Sequence, residues 1–182
     1  TRTFTPPSKN PSFVFAQLSK NIENAFIKAR RHHLAAKKMI VYLKSQDFRF
    51  FGNQALLSRP TSYPNDVLPL AEKIFHDLFQ TQMLYRSTGV VLCDLQTNTH
   101  IQRTLFEEPV RLEKLERLYG SIDQLSQKYG KHTVFVGTSF YAQTASQHQQ
   151  TRGDIPESQR LRQGKPYARK FLNIPFMTDE AH

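Results

Sequence analysis

This 182-residue chain lacks the usual covalent and metal scaffolds. It has a single cysteine, Cys93. That excludes an internal disulfide framework and a cysteine-rich zinc site, and it fits a reducing, cytoplasmic setting. No apolar run approaches the ~18 residues that a membrane-spanning helix needs, so no membrane partner is expected. The opening residues, Thr1-Arg2-Thr3-Phe4-Thr5, put no apolar stretch behind a basic one and do not read as a signal peptide. They include no initiator Met, which is expected of a fragment or a processed chain. The seven glycines form no phosphate-cradling loop, and no segment repeats. Acidic residues are also scarce, with Asp+Glu at 15 against Lys+Arg at 25, a net charge of +10. Such a surplus favours a polyanionic partner, most often nucleic acid.

What is present suffices for one core. Apolar residues make up 38% and aromatic residues 12% of the chain, and the length suits one domain with an appendage. The basic surplus sits mainly in residues 1–98, with 13 basic and 6 acidic side chains; the remainder carries 12 and 9.

The pattern predicts a short strand over Thr1–Thr5 that stops at Pro6-Pro7. A helix follows, capped by Ser12, with Phe15, Leu18, Ile22, Ala25, Phe26 and Ala29 on its apolar stripe. Its basic end, Lys28 to His33, suits the helix dipole. Lys38 to Lys44 alternates: Met39, Val41 and Leu43 on one face, Lys38, Ile40, Tyr42 and Lys44 on the other. A tight connection over Ser45-Gln46-Asp47 leads to a second strand, Phe48 to Arg59, bulged near Gly52-Asn53. Asp66 caps a second helix with Leu70, Ala71, Ile74, Phe75 and Leu78 inward, and Tyr85 to Leu95 is the last strand, with Cys93 read as a buried thiol. The expected fold is α+β: a four-stranded antiparallel sheet, β-α-β-β-α-β, with two helices on one face and the other face open. It spans 1–98. A linker (99–109), a helical extension (110–140, with a short strand over Thr133–Phe140) and a mostly flexible tail (141–182) follow, the tail carrying an apolar patch at Phe171–Phe176.

Catalytic sets are not apparent. The acidic residues of 1–98 stand singly, whereas a two-metal phosphoryl-transfer site needs carboxylates converging on ions about 4 Å apart. His32 and His33 are adjacent and point about 100° apart on a helix, and the other histidines are scattered, so no metal site is expected. No catalytic residue is assigned. The basic face is more informative. Arg2, Lys38, Tyr42, Lys44, Arg49, Arg59 and Arg86 lie in or beside the strands, and turned to the open side they suit nucleic-acid phosphates. An ordinary solvated sheet with snorkelling lysine stems fits the same residues.

This order and spacing resemble the little finger (polymerase-associated) domain of bacterial Y-family translesion DNA polymerases. Thr1-Arg2-Thr3-Phe4 is similar to the opening of that domain, Asp47-Phe48 to its hairpin tip, and Tyr85-Arg86-Ser87-Thr88-Gly89-Val90 to its last strand. Leu118 to Thr133 resembles the C-terminal extension of the polymerase V catalytic-subunit (ImpB/MucB/SamB) branch. The resemblance covers about 1–135. It implies that the palm carboxylates and their Mg2+ lie upstream of Thr1, so this chain is a non-catalytic part with no cofactor of its own. It also implies a duplex primer-template DNA partner held by its backbones, with Arg2, Lys44, Arg49, Gln54 and Arg86 touching phosphates, and SOS accessory proteins as further partners. One departure is that Phe50-Phe51 and Leu56-Leu57 make the third strand more apolar than is common in the family.

Gln102-Arg103-Thr104-Leu105-Phe106 resembles the bacterial sliding-clamp pentapeptide, although Arg is unusual at its second position. Leu105 and Phe106 would enter an apolar cleft while the Gln102 amide bonds in a small pocket. Two other readings stay open: an RNA-binding or protein-interaction module on a ferredoxin-like sheet, and a small hydrolase using Cys93 or a histidine.

Overall fold

Asn10 decides where the first helix begins. Its side-chain oxygen accepts the Phe13 N–H at 3.1 Å, and Pro11 follows at the first helical position, where its missing N–H costs nothing. Asn10, rather than Ser12, is therefore the cap of α1 (Pro11–Arg31). The computed structural model describes residues 1–98 and 109–144, without the side chains of residues 2 and 109–111. Helix α1 buries Val14, Leu18, Ile22 and Phe26 completely. It ends at His32, and His33 turns the chain into the sheet through a left-handed φ of 53°.

The sheet contains β1 (Arg2–Ser8), β2 (Leu34–Ser45), β3 (Phe50–Thr61) and β4 (Tyr85–Thr97), in the order β1-β4-β2-β3 with every neighbouring pair antiparallel. β4 thus divides the parallel pair β1 and β2, and β2 divides β3 and β4. Helix α2 (Pro64–Leu78) lies beside α1, and the α+β expectation of two helices over one face holds. The core between the layers joins Met39, Val41 and Leu43 to Phe4, Phe13, Val67, Phe75 and Tyr85. Burying side chains of this size stabilises by about 1.5–3 kcal/mol each.

Three local expectations change. Strand β1 runs through Pro6 and Pro7 to Ser8, because an edge strand tolerates residues without an N–H. The irregularity of β3 falls opposite Ala36–Lys38, between Leu56 and Thr61, not at Gly52-Asn53, which pair in register with Tyr42 and Val41. Helix α2 starts at Pro64, and Asp66 sits in its first turn, accepting from Thr61 Oγ1 at 2.6 Å.

The extension packs against the helix layer. In α3 (Pro109–Tyr129) Asp123 takes both Nε and an Nη of Arg30, at 2.7 and 2.8 Å. Tyr119 stacks on Tyr63 and donates to Asn65 at 2.9 Å. The chain then reaches a 3-10 turn (Gly137–Ser139) and α4 (Phe140–Thr144). Glu23, nearly buried on α1, gathers this segment: it accepts from Val136 N–H and Ser139 Oγ and lies 3.4 Å from His132. Thr133–Phe140 is therefore turn and 3-10 helix rather than strand, since its polar groups bond to α1 instead of a ladder. Ala142–Thr144, read as tail, is helical. The clamp-like residues Gln102, Leu105 and Phe106, and 145–182 with Phe171–Phe176, lie outside the described residues.

Candidate nucleic-acid interface

Strand β2 sorts its side chains by parity, and its neighbours inherit the sorting. Residues paired across an antiparallel ladder share a face. Lys38 pairs with Leu56 and Cys93, Ile40 with Gln54 and Val91, Tyr42 with Gly52 and Gly89, and Lys44 with Phe50 and Ser87. These rows make up the face away from the helices. No described element covers it: Leu56, Phe50 and Val91 are 71%, 64% and 45% exposed.

Its hairpin end is the most ordered part chemically. The turn Ser45–Phe48 closes with Phe48 N–H donating to Ser45 O at 3.2 Å, and Phe48 takes a left-handed φ of 66°. That places the Phe48 ring under two cations, Lys44 Nζ at 4.8 Å and the Arg86 guanidinium at 4.6 Å from its centroid. Lys44 also lies 4.6 Å from the Phe50 ring. Cations over aromatic faces are held in place at about 0.5–1 kcal/mol each on exposed surfaces. Arg49 projects beside them in an exposed pair with Asp47 at 3.1 Å.

Gly89 explains the posture of Tyr42. A Cβ on Gly89 would overlap the far end of the Tyr42 ring, so the ring lies across β4 only because that position is glycine. Tyr42 then stands 6.0 Å from Phe50, tilted by 53°.

Of the residues read as phosphate contacts, Lys38, Tyr42, Lys44 and Gln54 share the open face, and Arg49 and Arg86 join them at the hairpin end. Arg2 pairs with Thr88, whose hydroxyl accepts from Asn21 of α1, and the Arg2 side chain lies outside the described ones. Arg59 is elsewhere. It binds Asp66 at 2.9 Å with both side chains mostly buried, because the irregular stretch of β3 breaks the period of two. The reading from sequence missed Phe48 and Phe50 as part of the site. Their signal was available, since Phe50 is the hairpin partner of Lys44.

Cys93 is half-buried on the open face rather than in the core, because it shares a row with Lys38. A groove of about 600 Å³ beside β4, bordered by Asn21, Lys28, His32, Leu92 and Lys131, offers no carboxylate or thiol to pair with His32. No cluster of three potential metal ligands occurs among the described residues, and none of the described helices is long and apolar enough to cross a membrane.

Residues 1–105 match the model of the impB/mucB/samB family C-terminal domain. The chain belongs to this family. The matched stretch takes in the whole four-stranded sheet and both of its helices. Curated relatives include the DNA polymerase IV of Acetivibrio thermocellus, 27% identical over 109 residues, which cover 59% of this chain and 27% of that protein. Another is the DNA polymerase IV of Dehalococcoides mccartyi strain CBDB1, 24% identical over 139 residues, covering 76% and 35%. The chain thus spans about a quarter to a third of these relatives' length. A solved chain titled "Complex of beta-clamp processivity factor and little finger domain of PolIV" superposes with a TM-score of 0.44 at 18% identity, covering 58% of this chain and 95% of that one, a likeness too loose to carry an argument.

Proposed function

We propose that this chain is the DNA-gripping, clamp-tethering C-terminal region of a translesion polymerase, with an extension of the polymerase V type. The observation that carries the reading is the uncovered sheet face, where Lys38, Lys44 and Arg86 stand on the strand ladder and Arg49 stands beside its hairpin turn. Cations fixed at strand spacing meet successive phosphates of a duplex without reading bases. The Mg2+-dependent chemistry belongs to a catalytic part outside these residues. Gln102, Leu105 and Phe106 come within ten residues of the end of β4, and an extended peptide of this sequence would suit an apolar cleft on a sliding clamp. Tethering raises the local concentration of the polymerase at the primer end.

Two titrations test this. Primer-template binding should be insensitive to sequence and fall steeply with salt, with a log-log slope of about −3 to −4 if four phosphates are neutralised. The double substitution Lys44→Ala/Arg86→Ala should flatten that slope by about two. Salt-insensitive or sharply sequence-specific binding overturns the DNA assignment, and tighter binding of single-stranded RNA than of primer-template favours the RNA-binding reading instead. Separately, a bacterial sliding clamp should bind the chain, and Gln102→Ala/Leu105→Ala/Phe106→Ala should abolish that binding. Binding unchanged by these substitutions removes the tether.

A further inference from the structure

The open face is too aromatic for phosphate contact alone. Phe48 and Phe50 are 61% and 64% exposed, in a cluster with the Tyr42 ring that Gly89 lets lie across β4. Rings left in water on a rigid surface gain most from a flat apolar partner. A duplex backbone presents phosphates and sugars, whereas unpaired bases present π-faces. Rings interleaved with cations are the arrangement that holds single strands: bases stack and the cations track the backbone. Charge selects nucleic acid over an apolar protein partner here. Lys44 and Arg86 lie within the ring cluster, and among the described residues neither forms a salt bridge.

Resting on the DNA-gripping reading above, we propose that Tyr42, Phe48 and Phe50 stack unpaired nucleotides, the single-stranded stretch adjoining a primer-template duplex, while Lys44 and Arg86 neutralise its phosphates. The apolar third strand is then part of the site. It converts one end of a backbone-gripping sheet into a platform for extruded bases.

Fluorescence anisotropy on the full chain tests this with a short blunt DNA hairpin, the same hairpin carrying an oligothymidine overhang, and that overhang with abasic residues in place of thymidines. The thymidine overhang should tighten binding about tenfold, as one well-stacked base is worth about 1–3 kcal/mol. The abasic overhang, which keeps the phosphates that Lys44 and Arg86 neutralise, should recover only part of that gain. In Phe48→Ser/Phe50→Ser the ratio of thymidine-overhang to blunt-hairpin affinity should fall to that of the abasic overhang, whatever happens to blunt-hairpin affinity itself; both rings are exposed, so the fold should tolerate the change. Equal gains from thymidine and abasic overhangs overturn stacking, and that comparison needs no variant. No gain from the overhang, or a gain undiminished in the variant, overturns it as well. Failure to bind the blunt hairpin at all overturns the DNA-gripping reading, which the stacking proposal presupposes.

Discussion

The two faces of β2 are built from one stretch of sequence and obey different rules. Met39, Val41 and Leu43 are fully buried and meet α1 and α2. Lys38, Ile40, Tyr42 and Lys44, one residue out of step, are covered by no described helix and meet only their own sheet and its hairpin turn. On the covered face a side chain is judged by volume, because close packing leaves no room for error. On the open face it is judged by reach and charge. A β-strand can therefore separate stability from recognition at a spacing of one residue.

The largest expected effect breaks that comparison at its strongest point. Leu43→Ala should lower unfolding free energy by about 2–5 kcal/mol, read as a fall in denaturant midpoint at constant slope. Tyr42→Ala, its neighbour, should cost far less and act on nucleic-acid binding. Comparable losses from the two would mean that the faces are not distinct.

Next in size is the clasp between the helix layer and the extension. Asp123→Ala strips both carboxylate oxygens from Arg30, whose side chain is only 9% exposed, and leaves it the Ser62 carbonyl at 3.0 Å. A loss of about 2–3 kcal/mol is expected, together with faster hydrogen exchange in α3 but not in β2 or β4. Uniform loss of protection would place α3 in the same cooperative unit as the sheet.

A smaller effect is set by pH. Burial raises the Tyr119 hydroxyl to about 12, against the lowering influence of Arg30. Its folded-state value lies above the usual 10, so the protonated hydroxyl contributes stability that is intact below pH 10 and is lost as pH rises towards 12. Melting temperature followed across that window should fall in the native chain. Tyr119→Phe should fall less, keeping only the slope due to Tyr63, also raised by burial. Identical slopes would exclude Tyr119 as the cause.

The smallest effect sharpens the comparison from the open side. Asp47→Ala breaks an exposed ion pair, with side chains 62–68% accessible, and should change stability by less than about 1 kcal/mol. Removing that negative charge beside Arg49 should nevertheless strengthen DNA binding at low salt and have a vanishing effect at high salt.

The sheet and its helices were legible because their signals are local. Period-two alternation over Lys38–Lys44 and the threefold-fourfold stripe from Leu18 to Ala29 each need only neighbouring residues. The site was legible in part for the same reason, and Lys44 and Tyr42 fell on the face assigned to them. Arg59 did not, because three extra residues of β3 opposite Ala36–Lys38 shift its direction, and strand alternation carries no mark of such a shift. The docking of α3 was illegible for a different reason. The apolar spacing offers Leu112, Leu115, Leu118, Ile122, Leu125 and Tyr129 as a stripe that any partner could cover, whereas the structure buries Leu115, Tyr119 and Ser126 and leaves Leu118, Leu125 and Tyr129 exposed. The choice of α1 is made by Arg30 and Asp123, 93 residues apart. Phe48 read as a hairpin-tip residue and Phe50 as an oddity of composition until the hairpin register put Lys44 over both and Arg86 over Phe48.

The clasp has a mechanical consequence. Residues 99–108 join two anchored points: Asn98, whose N–H donates to His33 O at 2.8 Å, and α3, held at Tyr119 and Asp123. Any load on that span is therefore shared between a sheet strand and a docked helix, not hung from a loose end.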